Sequence, residues 1–145
     1  MGNISKDLNS TFPNLKIKAM LNIMFTANWI HSYHYSFYSP FKISSQQYNI
    51  LRILKGAEEA LKVQTIKERM VEKSPNTTRL MDKLCAKDFI ERIACPSDRR
   101  VVHIKITSQG LKLLEDISKA NRKDLLKNLT DDEAIQLSDL LDKIR

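Results

Sequence analysis

Between residues 65 and 106 the hydrophobic pattern changes period, from two short helical repeats set almost end to end to strict alternation, and few folds accommodate that succession. Thr65-Ile66-Lys67-Glu68 has the spacing of a capping box and predicts a short helix with Ile66, Met70 and Val71 as its apolar positions. Ser74-Pro75 then joins a favoured N-cap to a proline at the first helical position, where a missing amide costs nothing, and predicts a helix running to about Asp88. Two short helices around a tight turn make a helix-turn-helix. Over residues 89–94 and 101–106 the composition turns β-branched, and Val102, Ile104 and Ile106 alternate with Val101, His103 and Lys105, which predicts a hairpin. Its connection, Cys95-Pro96-Ser97-Asp98-Arg99-Arg100, lacks a tight-turn dipeptide and reads as an extended basic wing.

The flanks are helical. Glycine occurs only three times and proline four times in 145 residues, so breakers act as punctuation. After a polar lead-in over residues 1–14, residues 15–37 predict a long helix, apolar around most of its circumference. Its segment 19–30 is too short and too interrupted by Asn22, Thr26 and Asn28 to span a membrane, which needs about 20 apolar residues, so it is expected to be a buried helix. Ser44-Ser45-Gln46-Gln47 predicts a capping box and a helix with Tyr48, Leu51, Ile53 and Leu54, stopping at Gly56. Beyond Thr107 a helical period carries Leu111, Leu114, Ile117, Asn121 and Leu125, and Thr130-Asp131-Asp132-Glu133 caps a last helix with Ile135, Leu137, Leu140, Leu141 and Ile144. The fold class is therefore mainly α with a small β-hairpin wing. One domain spans 1–145, with helices 15–38 and 108–145 for dimerisation around a winged helix-turn-helix lobe at 44–107.

On a helical wheel of the second short helix, Thr77, Leu80, Met81 and Leu84 share one face, and Arg79, Lys83 and Ala86 share the opposite one. Side chains early in the second helix of such a motif reach base edges in the major groove, which makes Asn76, Thr78 and Arg79 the candidate readers, with Lys83 on the same face. Ser74, Pro75 and the first amides of the helix suit a phosphate. Arg99 and Arg100 at a loop tip suit a narrow minor groove, with Asp98 bracing one guanidinium. Charge placement supports double-stranded DNA over a protein-docking wing. Residues 62–105 hold 11 Lys and Arg against 6 Asp and Glu, which is +5 of the chain's +7.

Thr65-Ile66-Lys67-Glu68, the run from Ser74 through Arg79-Leu80-Met81-Asp82-Lys83-Leu84, and Asp98-Arg99-Arg100 leading to Ile106-Thr107-Ser108-Gln109-Gly110 together resemble the MarR family of winged-helix regulators over nearly the whole chain. The resemblance implies a homodimer built from the terminal helices, acting on a pseudo-palindromic operator as a repressor. It also implies Arg79 in the major groove and Arg100 beside Asp98 at the minor groove. Ile106 replaces the family's usual leucine. Asp88 stands where glycine is common, and aspartate tolerates the left-handed backbone better than most residues.

A sensory half is also expected. Tyr33, His34, Phe37 and Tyr38 crowd the end of the first long helix and form the candidate pocket for a small-molecule effector. His31 and His34 share a helical face but have no third ligand in view, so no metal and no cofactor is assigned. Cys85 and Cys95 offer an alternative, thiol-based sensing. No phosphate loop or nucleophile motif points to an enzyme. Two cysteines and no secretory leader point to the cytoplasm.

Overall fold

The computed structural model describes residues 2–94, 101–120 and 122–145. In chain order the elements are α1 (Ile4–Asp7), α2 (Leu15–Tyr38), a 3-10 turn (Ser39–Phe41), α3 (Ser45–Ala57), β1 (Leu61–Lys62), α4 (Val63–Arg69), α5 (Thr77–Cys85), β2 (Ile90–Ala94), β3 (Val102–Ile106), α6 (Ser108–Lys119) and α7 (Asp131–Ile144). The chain is mainly helical with a three-stranded antiparallel sheet ordered β1-β3-β2, the arrangement of a winged helix.

Two capping boxes form as the sequence predicts. The Ser44 hydroxyl accepts from the Gln47 amide while Gln47 reaches back to the Ser44 amide, and Thr130 with Glu133 does the same for α7. The Thr65 box does not form. The chain passes from β1 directly into α4 at Val63, so Thr65 already lies inside the first turn, and Gln64 rather than Thr65 bonds Glu68, at 2.9 Å. Val71 falls beyond the end of α4 and is 89 % exposed instead of serving as an apolar position. Helix α5 starts at Thr77, later than the Ser74-Pro75 signal, because the Thr77 amide and hydroxyl both donate to the Ser74 carbonyl (3.3 and 2.7 Å) and close a turn there. Helix α3 runs through Gly56 and stops where Glu58 turns left-handed at φ 59°. Helix α6 ends at Lys119, so its period does not carry on to Leu125.

The core lies between α3, α4, α5, α6 and the sheet. Ile50, Leu51, Ile66, Met81, Leu84 and Ile104 are fully buried in it, and Leu114 and Ile117 close it from α6. The hairpin register pairs Ile90 with Ile106 and Arg92 with Ile104, and β1 adds Leu61 opposite Ile104. Helix α2 departs from the buried helix expected at 19–30. Within one chain Met20, Met24 and Trp29 are each at least half exposed, as are Ile135, Leu140 and Ile144 on α7. Among the described residues no helix is long and apolar enough to cross a membrane.

Candidate nucleic-acid interface

Helix α5 divides into two faces. Thr77, Met81 and Leu84 are buried, Leu80 is half-buried, and Thr78, Arg79, Lys83 and Ala86 stand in solvent. Three contacts seat the inward face. The Gln47 side-chain amide of α3 donates to the Leu80 carbonyl at 3.4 Å, the Thr77 hydroxyl lies 3.7 Å from the Met70 sulfur, and Asn49 accepts from the Val71 amide in the preceding turn at 3.1 Å. Gln47 is legible in sequence as the capping-box partner of Ser44 but not as a contact to α5, and Asn49 only as a polar residue on an amphipathic helix.

In front of the helix, Ser74 is half-buried and Pro75 and Asn76 are exposed. The Ser74 hydroxyl accepts from the Asn76 amide at 3.2 Å, so it shapes the turn, and Asn76 holds the N-cap without spending its side chain on the helix. A shallow groove of about 340 Å³ runs beside this turn, lined by Gln64, Lys67, Glu68, Lys73, Ser74, Pro75 and Thr77. Among the described residues neither Arg79 nor Lys83 is engaged in an ion pair. Two cations on a surface otherwise free of buried demands suit a polyanion.

The base of the hairpin is bolted to the far end of α5. Asp82 of α5 pairs with Arg92 of β2. Asp88 is left-handed at φ 57°, the conformation expected of it from sequence, which turns the chain sharply from α5 into β2. Thr107 locks that turn in three ways: its hydroxyl donates to the Asp88 carbonyl (2.5 Å) and accepts from the Gly110 amide (3.1 Å), and its own amide donates to the Phe89 carbonyl (3.1 Å). Gly110 is required by close approach, since a Cβ there would sit 2.2 Å from the Phe89 carbonyl oxygen. The Thr107-Ser108-Gln109-Gly110 run therefore sets where β2 leaves the end of α5. Asp98, Arg99 and Arg100, and Cys95 with them, lie outside the described residues.

Of the four aromatic candidates for an effector pocket, Tyr33, His34 and Phe37 are half-buried at the end of α2, while Tyr38 is 1 % exposed and stacks on Tyr48 at 4.7 Å inside the core. Burial pushes the Tyr38 phenol up to about 12. The neighbouring groove, about 400 Å³, is lined by Ile30 and residues 122–126. Arg122 lies 3.3 Å from His34 Nε2, and the Lys123 amide donates to the Tyr33 hydroxyl at 2.8 Å. Burial, and then the charges of Arg122 and His31, hold His34 below the ordinary imidazole range against an opposing pull from Glu72. His31 lies 3.1 Å from Glu72, in the turn of the helix-turn-helix, and no group of three metal ligands assembles among the described residues. Cys85 is half-buried on the flank of α5, where burial pushes its thiol up and the nearby Arg92 pulls it partly back.

Comparison with known proteins agrees with this geometry. The model of the MarR family matches residues 43–102. The multiple antibiotic resistance protein MarR of Salmonella typhimurium is 34 % identical over 113 residues, covering 75 % of this chain and 78 % of that protein. The HTH-type transcriptional regulator PecS of Dickeya dadantii is 29 % identical, covering 74 % and 68 %. Among solved structures, a mutant MarR from Escherichia coli complexed with operator DNA superposes with a TM-score of 0.76 at 26 % identity, covering 92 % of this chain and 99 % of that one. A MarR transcription factor from Planctomyces limnophilus gives 0.70 at 32 % identity, covering 91 % and 98 %.

Proposed function

The chain belongs to the MarR family of DNA-binding transcriptional regulators, which are not enzymes, and from that premise we propose that it is a cytoplasmic homodimeric repressor of a pseudo-palindromic operator. The observation that carries the reading is the outward face of α5, where Asn76, Thr78, Arg79 and Lys83 stand exposed on a helix seated rigidly by Gln47, Asn49 and Thr77. A major groove admits such a helix, Arg79 grips guanine through two hydrogen bonds, and Asn76 or Thr78 addresses adenine or a thymine methyl. Ser74, Pro75 and the lysines of the adjacent groove meet phosphate, and Asp98 with Arg99 and Arg100 reads the neighbouring minor groove.

The exposed apolar faces of α2 and α7 support the two-fold assembly, because a single chain of this size rarely leaves so many large apolar side chains in water. Two copies then present their α5 helices to successive major grooves about one helical turn apart. The groove beside Tyr33, His34 and Phe37, lined by Ile30 and residues 122–126, is where a small effector binds to release DNA.

Fluorescence anisotropy with a promoter fragment from beside the protein's own gene tests this. Arg79→Ala should weaken specific binding by about 1–3 kcal/mol and relax preference at one base position. Arg100→Ala should weaken binding and flatten its salt dependence. Equal binding by wild type and both variants refutes the reading.

A further inference from the structure

Asp82 is an acid on a basic face. In sequence it lies between Arg79 and Lys83 on the outward side of α5, and its side chain is 54 % exposed. A carboxylate on a surface offered to a polyanion repels it, so Asp82 opposes binding unless it places a group that binds. No cation of α5 takes it up. Thr78 and Ala86, four residues before and after it, carry no charge, and among the described residues Arg79 and Lys83 form no ion pair. The partner comes from another element: Arg92 Nη2 of β2 donates to Asp82 Oδ1.

Strand β2 is an edge of the sheet and borders α5. Arg92 follows buried Ile90 by two residues and stands in register with fully buried Ile104, so it leaves the strand on the core side. It still reaches solvent along the flank of α5, where its side chain is 45 % exposed. A guanidinium holds its five N–H donors in one rigid plane, so fixing one on Asp82 fixes the direction of the rest. The place is also distinctive. A helix in the major groove and a wing in the adjacent minor groove have one sugar-phosphate strand between them, and the base of the hairpin beside α5 is the part of the fold which that strand passes.

We propose that Arg92 is a DNA-binding residue that grips a backbone phosphate between the two grooves, and that Asp82 is the positioning residue that aims it. The proposal rests on α5 being the reading helix. Asp82 takes one N–H of the guanidinium and leaves the others for phosphate oxygens, which accept charge-assisted bonds in the same planar geometry. The acid on the basic face thereby contributes to affinity through Arg92. Its removal should weaken binding, although it takes a negative charge away from the DNA.

The test measures anisotropy at several salt concentrations with two duplexes of equal length, a promoter fragment from beside the protein's own gene and a random sequence. Arg92→Gln should weaken binding to both duplexes alike, roughly ten-fold, because a phosphate carries no sequence. It should also lower the slope of log affinity against log salt by about 0.9 per bound subunit. Arg92→Lys, which keeps the charge, should keep the slope. Asp82→Ala should weaken binding about two- to five-fold, the range an exposed ion pair supplies. In the Arg92→Gln background the same change should instead tighten binding, about two-fold, since only the repulsion is then removed. Melting temperatures of all variants should stay close to wild type, because the pair is half exposed. Asp82→Ala binding as tightly as wild type, an unchanged salt slope in Arg92→Gln, or a loss confined to the promoter duplex overturns the proposal. So does a double variant no tighter than Arg92→Gln, the result if the pair only bolts the hairpin to α5. Failure of wild type to bind either duplex overturns the DNA reading, and the proposal with it.

Discussion

Replacing Gly110 by alanine sets two physical effects of opposite sign against each other. Alanine is the better helix former by about 1 kcal/mol, so propensity alone makes the variant more stable. Packing argues the reverse. The added Cβ would lie 2.2 Å from the Phe89 carbonyl oxygen and 2.7 Å from Ile106 Cγ1. The isoleucine can rotate away, but the carbonyl belongs to backbone and is held in place by the Thr107 amide at 3.1 Å. A relaxed carbon–oxygen contact is about 3.3 Å, so α6 must retreat from the start of β2 by about 1 Å. Overpacking of this kind costs about 1–3 kcal/mol, and stretching the Thr107 bond about 1 more. After the propensity gain the net loss is about 1–3 kcal/mol, a fall in melting temperature of roughly 3–9 °C at this chain length. The matched control is Gly56→Ala, inside α3, where nothing lies within 4 Å of the added Cβ and φ is not positive. There propensity acts alone and should raise the melting temperature by about 2–3 °C. Scanning calorimetry of both variants decides the matter. If Gly110→Ala melts at or above wild type, the close approach of α6 to the hairpin does not constrain this fold and the reasoning fails.

Three further outcomes are expected. Lys83→Ala should weaken binding uniformly across DNA sequences and lower the slope of log affinity against log salt by about one unit, checked by titration at several salt concentrations. Met24→Glu combined with Leu140→Glu should place charge on both exposed apolar faces and convert the proposed dimer to monomer in light scattering; a dimer that survives would place the interface elsewhere. In a Cys95→Ser background, Cys85 should react with iodoacetamide near neutral pH more slowly than a free cysteine, because burial holds its thiol protonated. Faster labelling than the free amino acid would favour thiol sensing at this position.

Caps and alternation are legible in sequence because they act over four residues or fewer. Ser44 with Gln47 and Thr130 with Glu133 formed the boxes their spacing predicts, Val102 to Ile106 formed a strand, and α5 turned Arg79 and Lys83 outward as a 3.6-residue period requires. The same local rules misplaced the starts of α4 and α5, since a competing local bond from Thr77 to Ser74 and a strand feeding directly into Val63 overrode the capping signals. Strand β1, two residues long, has no period to detect and exists only because Ile104 offers Leu61 a partner 43 positions away. Tertiary structure alone decided that α2 keeps Met20, Met24 and Trp29 in water within one chain, because hydrophobicity states what a side chain prefers and not which surface will cover it. It also decided that Asp82 meets Arg92, that Gly110 abuts Phe89, and that His31 reaches Glu72. Those contacts join separate elements whose relative placement follows from packing the shared core, and no local pattern encodes it.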